Sequence, residues 1–421
     1  MQHRIPVQSL GPAGAHMARA VATCVHCGFC LPACPTYRVL GEEMDSPRGR
    51  IVLMKQALEG EIAVAEALPY VDRCLGCLAC VTSCPSGVQY GELLVPFRGV
   101  AEREARSAAG RLRRRALLAT LQSPRLFRLA ARAGQLARHA GQLIPPPLRP
   151  IIDLLPSALP TPVRLPPTVP AHGPRRARVA LLAGCVQQVL APGINAATLR
   201  VLSRNGVEVV VPPAQGCCGA LALHAGEQDG AQSLAASLLD ALPDDVDAIV
   251  TNAAGCGSAM REYGAVLAGT AHESRAERFA ARVRDVSEVL DAVGLIEPPR
   301  LSTPATVAYH DACHLAHAQQ VRTPPRRLLG TVANLTVREV PDGDICCGSA
   351  GIYNVEHPEV ANELGRAKAQ GVLSTDAQAV VTGNVGCMMQ LAAHLAREGR
   401  PLKVLHTVQL LDNPDLVHSA P

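Results

Sequence analysis

The chain has 421 residues, 48% of them hydrophobic and 18% charged, a globular balance that excludes a largely disordered protein and suits about two to three domains. A formal net charge of +4 without any Trp argues against nucleic-acid binding, because neither a basic surface nor stacking side chains are abundant. Sixteen Cys indicate metal binding in a reduced cytoplasmic compartment, since residues 1–20 lack the continuous apolar stretch of an export signal.

Two cysteine runs near the amino terminus share the spacing Cys-x2-Cys-x2-Cys-x3-Cys-Pro. This is the spacing of a bacterial two-cluster ferredoxin, in which three Cys of one run face one cluster and the fourth reaches the other. The pattern predicts two [4Fe–4S] clusters, one held by Cys24, Cys27, Cys30 and Cys84 and the other by Cys34, Cys74, Cys77 and Cys80. Zinc is the alternative metal, but a tetrahedral zinc site would leave the Cys-Pro of each run unexplained.

The 39 residues between the two runs carry apolar residues at helical intervals over 50–58. We therefore expect residues 1–98 to form an α-helical ferredoxin domain. Arg48 and Arg50 lie in this insertion, where a cation could raise the potential of an anionic cluster or contact a partner. A solvated loop with ordinary arginines is the alternative.

The next two segments differ sharply in composition. Residues 99–144 are predicted to form basic helices, with Arg111, Arg113, Arg114, Arg115, Arg125, Arg128, Arg132 and Arg138. Such helices could bind an acidic partner, which we favour, or an anionic membrane surface, or they could simply be solvated. Eleven prolines between residues 145 and 174 predict that 145–177 is an extended linker or a surface strap rather than helix.

From residue 178 onward, short β-rich runs alternate with amphipathic ones, which is typical of α/β units. The predicted strands are 179–183, 207–212, 248–252, 306–310, 335–340 and 379–384. The uncharged stretch 179–199 is predicted to be a buried strand followed by a helix, because Pro192 and three amide side chains interrupt it; we expect no membrane span.

Cysteines follow these strands in two matching sets. The first set is Cys185, Cys217, Cys218 and Cys256, and the second is Cys313, Cys346, Cys347 and Cys387. The sets are offset by 128, 129 and 131 residues, so two homologous half-domains, 178–300 and 301–421, are predicted. Residues that follow parallel strands share one crevice, so each set should converge.

Three uses of each converging set remain open at this point: a further cluster, redox-active thiols, or a structural scaffold. His310 and His314 are four residues apart and could face the second set, where hydrogen bonding to the site is expected more than ligation. The expected fold is thus α+β and multi-domain, with an α-helical ferredoxin followed by two duplicated α/β half-domains.

Tandem Cys-Cys-Gly modules of this kind are similar to the cysteine-rich subunit of heterodisulfide reductase. With the ferredoxin in front, the chain resembles the iron–sulfur subunit of bacterial glycolate oxidase, and more broadly those of anaerobic glycerol-3-phosphate dehydrogenase and lactate utilisation. The amino-acid sequences of three segments favour the glycolate enzyme: residues 27–37, residues 45–51, and residues 309–314, which read Tyr-His-Asp-Ala-Cys-His. One departure is that the reductase module ends in Cys-x-x-Cys, whereas Ala259 and Gln390 stand in the last positions here.

The resemblance implies an electron-transfer subunit of a glycolate dehydrogenase complex. An FAD-binding partner would oxidise glycolate, or D-lactate, and this chain would pass the electrons to a quinone or another acceptor, in the cytoplasm or peripherally on the inner membrane. No nucleophile elbow, phosphate loop or dinucleotide fingerprint occurs in the sequence, so flavin and substrate are expected on the partner. Alternatives are the equivalent subunit of a lactate or glycerol-3-phosphate dehydrogenase, a thiol–disulfide reductase, and an iron–sulfur sensor.

Overall fold

The computed structural model describes residues 1–138 and 149–420. The end of the predicted basic segment, 139–144, and the start of the predicted linker, 145–148, lie outside the described residues. The α+β class is confirmed: a helical amino-terminal part precedes two parallel sheets, each covered by helices. No helix among the described residues is both long and apolar enough to cross a membrane.

The amino-terminal part is helical, as the apolar spacing predicts. Its helices are Val7–Ala13 (3-10), Gly14–Thr23, Pro35–Leu40, Glu43–Asp45 (3-10), Pro47–Leu58, Val64–Asp72, Ala79–Thr82 and Tyr90–Glu104. Ser46 begins the central helix by accepting a hydrogen bond from the amide of Gly49 at 3.0 Å, and Pro47 occupies the first helical position. Met17, Met54 and Phe97 are buried at the centre of this part.

The first sheet has five strands. They are β1 (Thr168–Val169), β2 (Ala177–Leu181), β3 (Val207–Val210), β4 (Ala248–Thr251) and β5 (Val283–Asp285). The order is β1-β3-β2-β4-β5, with β2 to β5 parallel and β1 antiparallel at the edge. All four residues of β4 are buried, which is expected of a strand covered by helices on both faces.

The second sheet repeats this arrangement. Its strands are β6 (Arg300–Tyr309), β7 (Ala333–Glu339), β8 (Ala379–Thr382) and β9 (Lys403–His406). All pairs are parallel and the order is β7-β6-β8-β9, the same crossover pattern as β3-β2-β4-β5. The shared topology supports the duplication inferred from the cysteine offsets.

Helices connect and cover the strands. In and before the first sheet they are Ala108–Gln122, Pro124–Ala137, Arg149–Leu154, Gln187–Leu190, Gly193–Arg204, Ala220–Ala225, Gln228–Ala241, Ala254–Arg261, Tyr263–Val266, Glu273–Arg282 and Val286–Val293. Around the second sheet they are His314–Ala318 (a π-helix), Thr323–Gly330, Tyr353–Glu356, Pro358–Leu373, Val385–Arg397, Thr407–Asp412 and Pro414–His418 (3-10). The expectation of no helix in the proline-rich segment is therefore wrong for Arg149–Leu154, which has its only proline near its start.

The two sheets share one apolar core. Leu181 and Val209 of the first sheet belong to the same buried cluster as Val307 and Val381 of the second. Across this interface Arg200 binds the carboxylate of Asp412, with N–O distances of 2.6–3.2 Å. The half-domains are consequently packed as a pair, which fixes the positions of their cysteine sets.

Candidate metal centres

The first three cysteines of each ferredoxin run lie on a loop with left-handed backbone turns. His26 and Gly28 have φ of 57° and 86° in the first loop, and Gly76 and Leu78 have φ of 65° and 60° at the matching positions of the second. Non-glycine residues rarely adopt this conformation, and such strain concentrates at functional sites. The turns curl each loop so that its cysteines can converge on one group.

The first predicted ligand set surrounds one pocket. Cys24, Cys27, Cys30 and Cys84 all line it, and Cys80 of the second set also borders it. Cys27 is exposed, whereas Cys24 is buried. The neighbouring Val25 and Phe29 are 66% and 65% exposed, so this end of the cysteine array reaches the surface through an apolar patch.

The second predicted set lies deeper. Cys34, Cys74 and Cys77 are buried, and the Tyr90 hydroxyl donates to Cys74 Sγ at 3.8 Å. Burial, and next the neighbouring Cys313, raise the pKa of Cys77 well above that of an ordinary thiol. A thiol in this position stays protonated until a metal displaces the proton, so the donor set fits a metal centre. All sixteen cysteines lie among the described residues, and none forms a disulfide.

Arg50 is the cation beside this second set, and its burial excludes the solvated-loop interpretation for it. The guanidinium is fully buried, lies 3.8 Å from Cys34 Sγ and donates to Asp45 Oδ1 at 2.9 Å. Burial alone would lower its pKa, but Cys74, Tyr90, Cys34 and Asp45 outweigh burial and hold the pKa above its ordinary value. A permanent positive charge therefore faces the predicted ligands. Arg48 instead pairs with Glu43 near the surface, at 2.6 Å.

The basic segment is divided between surface and interior: the side chains of Arg113, Arg115, Arg125 and Arg132 are exposed, whereas other arginines bind the rest of the protein. Arg114 is buried and binds Glu102 at 3.0 Å and Glu356 at 2.7 Å. Arg128 donates to the carbonyl oxygens of Pro160 and Gln188. Arg114 and Arg128 therefore bind these helices to the neighbouring ferredoxin part and half-domains. Composition alone could not reveal these contacts.

All eight half-domain cysteines line one cavity of about 290 Å³ between the two sheets. They are Cys185, Cys217, Cys218, Cys256, Cys313, Cys346, Cys347 and Cys387. Cys185 follows β2, as Cys313 follows β6, so each set lies at the carboxyl end of its own parallel sheet. That both sets border one common cavity was not predicted. Cys74 of the ferredoxin part also borders the cavity.

The two sets differ in their electrostatics. In the first half, Cys185 and Cys217 Sγ are 3.5 Å apart, and the hydrogen bond between these thiols, followed by burial, raises the pKa of Cys185 well above its usual value. In the second half, hydrogen bonds from Cys346 and Cys387, with a smaller contribution from His310, lower the pKa of Cys347 well below that of a free thiol despite its burial. Hydrogen bonds with Cys313 and Cys347 raise the pKa of Cys346, and the hydrogen bond with Cys347 raises that of Cys387, so the second set is not lowered as a whole.

The two candidate histidines occupy different places. The ligating atoms of His310, Cys347 and Cys387 lie within 4.8 Å of one another, and all three residues are buried. His314 borders the cavity of the half-domain cysteines, and its Nε2 lies 3.1 Å from the carbonyl oxygen of Gly76. The two histidines therefore have different neighbours, because residues 309–312 are not helical and a spacing of four does not align the side chains.

The second ferredoxin loop lies directly against the second half-domain. Leu75 and Cys77 pack in one core with Cys346 and Tyr353. Thr82 Oγ1, just after the loop, lies 2.7 Å from His317 Nδ1. The cysteine groups therefore form a continuous line from the exposed first loop, through the buried second loop, to the second half-domain.

Comparisons with known proteins agree with this architecture. A 4Fe–4S dicluster domain model matches residues 20–88, and a cysteine-rich domain model matches 179–261 and 307–392. A probable glycolate oxidase iron–sulfur subunit of Bacillus subtilis is 37% identical over 92% of this chain and 92% of its own length. This chain belongs to the family of glycolate oxidase iron–sulfur subunits. It is an electron-transfer iron–sulfur subunit of an oxidoreductase.

Two further relatives match different shares of this chain. The glycolate oxidase iron–sulfur subunit of Escherichia coli is 36% identical over 92% of this chain and 93% of that one. Lactate utilization protein A of Oceanobacillus iheyensis is 28% identical over 56% of this chain and 96% of its own length. Among solved structures, a hypothetical protein from Helicobacter pylori has a TM-score of 0.48 at 9% identity, covering 85% of this chain and 71% of that one.

Proposed function

We propose that this chain is the iron–sulfur subunit of a glycolate dehydrogenase complex. An FAD-binding partner subunit removes two electrons and two protons from glycolate to give glyoxylate, and this chain carries the electrons singly to a quinone or another acceptor. Two relatives named as glycolate oxidase iron–sulfur subunits, each matching 92% of the chain, support the choice of substrate. We further propose a cytoplasmic location, peripheral on the inner membrane.

The observation that carries this proposal is the contact between the second ferredoxin loop and the second half-domain. Cys77 and Cys346 share one buried cluster of side chains, and His314 binds the backbone of the same loop. A redox group on the loop would therefore adjoin one in the half-domain, as a one-electron relay requires.

Two [4Fe–4S] clusters fit the amino-terminal cysteines, and we assign the ligands by the ferredoxin rule. The first cluster takes Cys24, Cys27, Cys30 and Cys84, and the second takes Cys34, Cys74, Cys77 and Cys80. A bound cluster supplies a one-electron carrier between a two-electron flavin and the acceptor. The protein's residues hold the sulfurs in place, exclude water from the second site and place the Arg50 guanidinium beside it.

The direction of the relay follows from exposure. Cys27 reaches the surface next to Val25 and Phe29, whereas the second loop is buried. The flavin-bearing partner would therefore contact the first loop. Electrons would then move inward to the half-domains, where the cavity of about 290 Å³ gives an acceptor access to the cysteines.

The test compares this chain with and without the proteins encoded beside it. The complex should reduce a dye acceptor with glycolate, and the chain alone should show no activity while keeping its iron. Parallel assays with D-lactate and glycerol-3-phosphate identify the substrate; a clear preference for either would replace glycolate. Glycolate oxidation by the isolated chain would overturn the carrier role, and disulfide reduction by it would favour a thiol–disulfide reductase.

A further inference from the structure

His310 is a buried histidine with no hydrogen-bond partner for its ring. It follows β6 directly, its backbone amide donates to the carbonyl oxygen of Val381 at 2.9 Å, and its side chain is 1% exposed. Among the described residues, neither ring nitrogen finds a donor or acceptor of acceptable geometry. A buried polar group without a partner is unfavourable, and both ring nitrogens of this imidazole remain free to bind a group that the polypeptide does not supply.

The ring is directed toward two thiols. Its nearer nitrogen, Cys347 Sγ and Cys387 Sγ all lie within 4.8 Å of one another, close enough for one inorganic centre to contact all three. Cys346 adjoins Cys347 in sequence, and its sulfur lies 3.8 Å from that of Cys313. The second half-domain therefore assembles five soft or borderline donors, four thiols and one imidazole, in one buried place.

We propose that the second half-domain holds an iron–sulfur cluster with His310 as a nitrogen ligand beside Cys347 and Cys387. Cys346 and Cys313 complete the donor set. Five donors exceed the four that a tetrahedral zinc ion takes, whereas imidazole and thiolate together are an established donor set for iron–sulfur clusters. The side chain of Lys368 is buried near Cys347 and Cys346 and donates to the carbonyl oxygen of Asp342. Burial lowers the pKa of Lys368, and an anionic cluster at these cysteines would favour its charged form.

The first half-domain serves as an internal comparison. The residue 128 positions before His310 is Leu182, which is buried in an apolar cluster together with Cys218. Leu239 stands where the second half has Lys368, 129 positions later. Within the part of the chain that the structure describes, the group around His310 is the only set of three metal-ligating side chains whose ligating atoms all lie within 4.8 Å of one another. The duplication has therefore produced two chemically different sites, and the histidine-ligated cluster belongs to the second.

The test uses the full chain, reconstituted with iron and sulfide under anaerobic conditions and labelled with ¹⁵N-histidine. The wild-type protein should hold more iron than the roughly eight atoms of two [4Fe–4S] clusters. Pulsed EPR of its reduced form should show the strong hyperfine coupling of a directly bound histidine nitrogen. His310→Ala should lose that coupling and bring the iron content down to about eight.

Two further variants separate ligation from folding. His310→Cys replaces nitrogen by sulfur, so it should keep the additional iron and lose the nitrogen coupling. His406→Asn changes another buried histidine that ends a strand of the same sheet, and Asn can still cap the following helix as His406 does; it should retain both signals. About eight iron atoms in the wild type, zinc in the second half, or nitrogen coupling that persists in His310→Cys would each overturn the proposal.

Discussion

His314 Nε2 lies 3.1 Å from the carbonyl oxygen of Gly76. This contact joins the second half-domain to the second ferredoxin loop, two neighbouring parts of the proposed relay. A carbonyl can only accept, so Nε2 carries the proton. Burial lowers the pKa of His314 to about 4, so the ring is neutral at physiological pH. One hydrogen bond thus joins the residue after Cys313 to the residue before Cys77.

Removing this bond should loosen the second ferredoxin loop. We expect His314→Ala to lower the free energy of unfolding by about 1 kcal/mol. The variant should also increase amide hydrogen exchange in residues 74–84, measured by mass spectrometry on the reconstituted chain. His172→Ala, at an exposed histidine, is the control and should leave exchange there unchanged. Equal protection in His314→Ala and wild type would show that the contact does not hold the loop.

Arg50 should set the potential of the neighbouring cluster. Arg50→Gln removes a buried positive charge 3.8 Å from Cys34 Sγ. The loss of this charge disfavours the extra electron on the cluster and should lower the midpoint potential by roughly 100–180 mV, for a charge separation of about 4–7 Å at an effective dielectric of about 20. Redox titration followed by EPR measures this. Arg48→Gln, at a more exposed arginine paired with Glu43, should shift the same potential much less. An unchanged potential in Arg50→Gln would remove Arg50 from the relay.

Arg114 and its neighbour Arg113 provide a matched pair for stability. Arg114→Ala removes the buried cation that binds Glu356 and leaves Glu102 paired with Arg106 alone, so it should lower the free energy of unfolding by about 3 kcal/mol. Arg113 is exposed, with no partner among the described residues, so Arg113→Ala should change it by less than about 0.5 kcal/mol. Denaturant unfolding followed by circular dichroism distinguishes the two variants; equal effects would contradict the stabilising role of the buried Arg114.

Acid should destabilise the second half-domain through His406. Burial lowers the pKa of His406 to about 4, below the value near 6.5 of an unfolded histidine. The unfolded state therefore binds the proton first, and stability is lost as pH falls from about 6.5 to 4. The loss amounts to about 2 kcal/mol between pH 6.5 and pH 5. His406→Asn should reduce this pH dependence by that amount in denaturant unfolding at the two pH values, whereas the exposed His172→Asn should not.

The sequence predicts those parts of the structure that depend on local pattern. The six predicted strands occur near their predicted positions: β4 and β8 are fully buried apolar runs, whereas β7 alternates between half-buried and exposed residues. The sequence analysis does not predict β1, β5 and β9; with two and three residues, β1 and β5 give too little periodicity. The convergence of the cysteine sets followed from parallel topology, which strand alternation already indicates.

The directions of individual side chains could not be predicted from the sequence. Arg50 and Arg114 look like solvated arginines in a basic sequence, yet both are buried. The partner Asp45 is only five residues from Arg50, whereas Glu356 is 242 residues from Arg114. His310 and His314 diverge because one follows a strand and the other begins a π-helix. Only the three-dimensional arrangement shows which histidine adjoins the thiols and which binds the ferredoxin loop.

The central claim is that the amino-terminal cysteines hold iron–sulfur clusters that carry single electrons. A potentiometric EPR titration of the anaerobically reconstituted full chain tests it most directly. We predict a brown protein whose reduced form shows signals from at least two [4Fe–4S] clusters, each appearing in a one-electron transition. A colourless protein with zinc bound in both cysteine loops, and no such signal at any potential, would contradict the account.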